Sequence, residues 1–200
     1  MLSDDELRGL AVDAGASDAL AIPAENVVVD NVVALRCQYG CAEYGRWLTC
    51  PPHSPDPEKT RQVLSEYRRC LLVALDVPSD PQLQMDEEDE ANPDEALTST
   101  TTDVPVFRGM GRKLFKLVAE VERRLFLAGH YRAFGFAAGH CPFCKECNLA
   151  RPCRFPSLSR PSMEASGIDV FSTLRNSGWA NRVLTDPKES FRIYALVLVD

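Results

Sequence analysis

The chain has 200 residues, of which 45% are hydrophobic and 26% charged, and its net charge is −7. This supports one sizeable core and weighs against a general affinity for nucleic acid or anionic membranes, both of which require basic surface. No apolar run approaches the roughly 20 residues that cross a bilayer, and the acidic opening MLSDDELRGL lacks the basic region of a signal peptide. The expectation is a cytoplasmic protein with neither a nucleic-acid nor a membrane partner.

The elements are read in chain order. Ser3 and Glu6 have capping-box spacing, and Leu7, Leu10, Ala11 and Ala14 share one helical face that Gly15 can end. Val27–Leu35 is rich in valine and reads as a strand or hairpin running into a first cysteine group. Asp56 and Pro57 suit an N-cap and first position of a helix reaching about Arg69, and Cys70–Val77 reads as a short buried strand. The acidic, polar segment at about 78–105 reads as a mobile insertion within a single domain spanning 1–200. The longest helix is expected over about Arg108–Ala128, where Leu114, Leu117, Val118, Val121 and Leu125 form a 3.6-residue stripe.

Tyr131–Ala138 reads as a strand delivering the chain into a second cysteine group. A short helix near Ser162, a helix capped by Asp169 and a closing strand Phe191–Val199 complete the pattern. Helices and strands interleave, which predicts an α/β or α+β sandwich: a small sheet covered by helices, with the cysteine-rich loops at strand ends.

Eight cysteines in a chain expected to be cytoplasmic point to metal binding or redox chemistry rather than a disulfide framework. The second group, GHCPFCKECNLARPCRFP, places Cys141, Cys144, Cys147 and Cys153 at Cys-x2-Cys-x2-Cys-x5-Cys spacing. Four thiolates so close in sequence can converge on one centre, and soft thiolates select zinc, copper(I) or iron–sulfur clusters. A structural zinc site usually takes two Cys-x2-Cys pairs set well apart, whereas an unbroken triplet is the ferredoxin arrangement. This run closes with x5 and Arg154 rather than x3 and proline. Cys153 is therefore the weakest assignment of the four, and Cys50, followed by Pro51, is an alternative fourth ligand. Lys145, Arg151 and Arg154 would balance an anionic cluster or serve as ordinary surface charge.

The first group spaces Cys37, Cys41 and Cys50 as x3 and x8. Three cysteines could hold a second cluster with an open position, where a metal can do chemistry, or they could be structural. Cys70 reads as a small buried hydrophobe, and His53 is a further possible donor. Arg160, Ser162 and Glu164 could meet an anion at a helix start, but cap residues are the favoured reading.

With both groups in view, the chain resembles the family described as predicted metal-binding proteins, domain of unknown function 2284. The resemblance is carried by Cys50-Pro51-Pro52-His53-Ser54-Pro55, by GHCPFCKECNLARPCRFP and by RPSMEASGIDVF from Arg160 to Phe171. It runs from about Val33 to the final strand and implies metal binding without naming a reaction. Two functions are expected to compete. One is an iron–sulfur protein with one or two clusters of the [4Fe-4S] type, acting in electron transfer with a redox partner protein or in reductive or sulfur chemistry. The other is a zinc-stabilised module that binds another protein without enzymatic activity.

Overall fold

The computed structural model describes residues 1–77, 105–179 and 190–200. The expected acidic insertion lies outside these residues, apart from position 105.

Four strands form one antiparallel sheet in the order β1-β2-β4-β3, with β1 at Asp18–Pro23, β2 at Arg69–Val77, β3 at Phe134–Phe136 and β4 at Phe191–Leu198. Among the described residues there are five α-helices: α1 at Asp4–Asp13, α2 at Asn31–Gly40, α3 at Pro57–Leu64, α4 at Pro105–Leu127 and α5 at Val170–Asn176. This is the α+β form of the expected sandwich.

Both faces of the sheet are covered, which is why β2 reads as a nearly continuous apolar run. On one face Leu71, Val73, Ala195 and Val197 pack against Leu7 and Ala11 of α1 and against Leu114, Val118, Val121 and Leu125 of α4. On the other face Cys70, Leu72, Leu196 and Leu198 pack against Leu64, Met163, Ile168 and Leu174. Alternate side chains of one strand thus feed two cores.

Local signals explain most boundaries. The Ser3–Glu6 capping box opens α1, and Asp56 and Asp169 cap α3 and α5 through side-chain oxygens that accept from Lys59 and Ser172 amides. Gly167, at φ 78°, turns the chain where an added Cβ would lie 2.7 Å from Pro57, so only glycine fits there.

Two sequence expectations are corrected. Val27–Leu35 is not a strand: it leads through a single bridge, Val29 with Ile168, into α2. The first cysteine group therefore leaves a helix, not a strand end. The cause is capping: the Asp30 carboxylate accepts from the Val32 amide at 2.9 Å and nucleates a turn against the β preference of the valines. The other correction is β1, which the valine-rich reading passed over. Two of its six residues are alanines, and Ala19 and Ile22 are its buried positions.

Candidate metal centre

The two cysteine groups meet at one end of the fold. The second follows β3 through Ala137, whose amide donates to Pro161 and whose carbonyl accepts from Met163, both at 2.9 Å. This pins the approach to Cys141 onto the segment that begins at Arg160. Arg160 is not available to a substrate anion, because it forms a two-point pair with Glu122, with both bonds at 2.6 Å. Ser162 acts as a cap, accepting from the Ala165 amide at 3.0 Å.

Cys141, Cys144, Cys147 and Cys153 line a single small cavity of about 20 Å³, together with Trp47, Leu48 and Thr49 from the first cysteine loop and Arg154, Phe155 and Ser159 from the second. Two of the sulfurs are held by amides two residues further on: the Phe155 N–H donates to Cys153 at 3.4 Å, and the Phe143 N–H donates to Cys141. Such bonds orient a sulfur and favour its anionic form. Burial pushes the Cys141 thiol up to about 11, against the Phe143 amide and the Ser159 hydroxyl, which favour the thiolate. Burial also raises Cys144, reinforced by Cys147 and Cys153, while the Arg154 charge opposes the rise.

The first loop forms part of the wall. The Cys141 amide donates to the Thr49 hydroxyl at 3.2 Å, and Trp47 stacks on His140 with ring centroids 4.8 Å apart. Trp47 in turn donates its indole N–H to the buried carboxylate of Glu43. The conformation of this loop is set by short turns: Cys50 donates to the Trp47 carbonyl, and the His53 and Ser54 amides return to the Cys50 carbonyl.

Cys37, Cys41 and Cys50 form their own neighbourhood. Cys50 is buried, and burial pushes its thiol up to about 12, with Cys41, Cys37 and Glu43 adding to the rise. Cys37 lies on α2 with its sulfur 3.9 Å from the Glu164 carbonyl, and Cys41 is exposed at the helix end. Cys50 thus keeps company with the first group rather than completing the second. His53 is exposed. Cys70 sits in β2 facing the core, fully buried, as a small hydrophobe would.

A scan against known families matches residues 20–199 to the description "Predicted metal-binding protein (DUF2284)". The chain belongs to this family. No curated protein and no solved structure matches it.

The donor chemistry of the family member fits a soft metal group. Four thiols surround one partly enclosed space, two of them already receive amide N–H groups, and an arginine stands beside them. Burial disfavours the anions of Cys141 and Cys144 until a cation offsets them. Among the described residues no three Cys, His, Asp or Glu side chains already converge as a ready ion site. Among the described residues no helix is long and apolar enough to cross a membrane.

Proposed function

We propose that this family member holds an iron–sulfur cluster, of the [4Fe-4S] type, on Cys141, Cys144, Cys147 and Cys153, and exchanges electrons with a partner protein in the cytoplasm. One observation carries the reading: four thiols at ferredoxin-like spacing share one cavity wall, with amides donating to Cys141 and Cys153. Bound there, such a cluster supplies a one-electron couple. The chain's own residues set its surroundings. Trp47, Leu48 and Phe155 keep water back, and Arg154 and the amides offset negative charge, which favours the reduced form. The eight free thiols suit a reducing compartment.

Anaerobic purification followed by iron, sulfide and zinc analysis tests the reading. The expected result is a brown protein with matching iron and sulfide and a broad visible absorbance bleached by dithionite. A colourless protein carrying stoichiometric zinc and no sulfide would overturn it in favour of a zinc-stabilised interaction module.

A further inference from the structure

The first cysteine loop reaches the second through Trp47. This side chain is buried, lines the cavity shared by Cys141, Cys144, Cys147 and Cys153, and stacks on His140 with the ring planes inclined by 25°. Thr49, two residues on, accepts from the Cys141 amide at 3.2 Å. The loop behind Trp47 is closed on itself: the Gly45 amide donates to the Pro51 carbonyl at 2.8 Å, and the Cys50 amide donates to the Trp47 carbonyl at 3.0 Å.

An indole has one polar group, an N–H donor, and when buried it needs an acceptor. Here the acceptor is Oε2 of Glu43, an acid that is itself buried. Burying a carboxylate is costly, and a neutral acceptor would also satisfy the indole, so a charged one calls for a reason. A charge-assisted bond is about twice as strong as a neutral one and fixes the ring more firmly. The other oxygen, Oε1, meets Arg46 only at 3.5 Å, and Arg46 is 60% exposed, so the indole is the principal partner. At Glu164, by contrast, the enclosed Oε2 has no hydrogen-bond partner among the described residues. Glu43 is thus a buried acid whose charge orients one neighbouring ring.

We propose that Glu43 is a positioning residue for the four-thiol pocket: its carboxylate holds Trp47 as a fixed wall beside Cys141 and so limits the access of water and oxidants to the sulfurs. The proposal deepens the metal-centre reading and takes its purpose from it. The shielding itself concerns the thiols and is measurable with or without metal on them.

Timed iodoacetamide labelling of the anaerobically purified full chain, read by tandem mass spectrometry, gives a rate for each cysteine. Cys70, fully buried in β2, is the internal control for global opening. Glu43→Ala should speed labelling of Cys141 by at least about tenfold and leave Cys70 unchanged. Trp47→Phe should do the same, and adding Glu43→Ala to it should raise the rate by less than about twofold, because both changes break one wall. Glu43→Gln, which keeps an acceptor without the charge, should fall between the wild type and Glu43→Ala. An unchanged Cys141 rate in Glu43→Ala overturns the proposal. So does an equal rise at Cys70, which assigns Glu43 a general structural role, and so do independent, multiplying effects of the two substitutions. If Glu43→Ala does not fold, Glu43→Gln decides by the same comparison of Cys141 with Cys70. Iron, sulfide and zinc analysis of the same samples keeps the two readings apart. A zinc protein with the Cys141 effect intact defeats the iron–sulfur reading and supports the wall, whereas an iron–sulfur protein without that effect does the reverse.

Discussion

Replacing Gly135 with alanine should loosen the whole end of the molecule that carries the cysteines. A Cβ at this position would lie 2.2 Å from Val118 Cγ1 and 2.8 Å from Glu122 Oε1. Val118 is fully buried on α4 and cannot swing away. Glu122 is just as constrained: it accepts from the Gly135 amide at 2.5 Å and holds Arg160, with only 11% and 15% of the two side chains exposed. Overpacking of this kind costs about 1–3 kcal/mol, and a partly broken buried ion pair adds to it, because full loss of one partner costs about 3–5 kcal/mol. A total near 3 kcal/mol lowers the melting temperature of a 200-residue protein by roughly 6–12 °C. Gly111→Ala is the matched control. Its Cβ meets only Pro142, at 3.7 Å, and alanine in a helix is favoured over glycine by about 0.5–1 kcal/mol. The same chemical change should therefore have opposite signs at the two positions. Thermal and urea denaturation of both variants is the assay. If Gly135→Ala melts with the wild type, or Gly111→Ala falls as far, the close-approach argument fails.

Other substitutions separate the thiols by role. Cys144→Ala and Cys147→Ala should each lose metal and melt lower, since metal binding and folding are coupled; elemental analysis beside a melting curve checks both, and full occupancy would remove these cysteines from the site. Cys70→Ala should cost about 1 kcal/mol of stability and leave metal content unchanged, as expected of a core position. Arg69 and Asp200 form a two-point pair at 3.1 and 2.6 Å, and the guanidinium holds the Asp200 carboxyl below the usual carboxylate range. Its contribution is therefore complete above the unfolded carboxyl pKa of about 3.9 and disappears as pH falls through the lowered folded value. Asp200→Asn should be less stable than the wild type near neutrality, and the gap should close in acid; a gap that is constant with pH would show that the pair does not contribute in this way.

Much of the fold is legible wherever one residue type carries one physical instruction. The capping residues Ser3, Asp56 and Asp169 mark helix starts, and the stripe from Leu114 to Leu125 marks the face that α4 buries. The failures have equally local causes. In α2 no residue is buried, so there is no apolar periodicity to read, and Val32, Val33 and Leu35 suggest a strand until Asp30 is recognised as a cap. In β1 alanine stands where strands usually carry branched residues. At the site, sequence spacing groups Cys141, Cys144 and Cys147, and the structure places Cys153 on the same cavity wall despite its longer spacer. Spacing has nothing to say about Glu164, which is 127 positions from Cys37 yet has its carbonyl 3.9 Å from the Cys37 sulfur. Read along the chain, Glu164 resembles a cap residue; the enclosed oxygen is visible only in three dimensions.

The hydrogen bond from Cys141 to Thr49 joins positions 92 residues apart. It follows that the second cysteine loop is not a portable motif. A peptide copying residues 139–155 would keep all four thiols and the amides of Phe143 and Phe155, but it would lose the wall of Trp47, Leu48 and Thr49. Grafted onto another scaffold, the cluster proposed above would stand in open water, with a different potential and little protection from oxygen. The four thiols are written in one short stretch of chain, but the wall that encloses them is contributed from a distant part of the sequence.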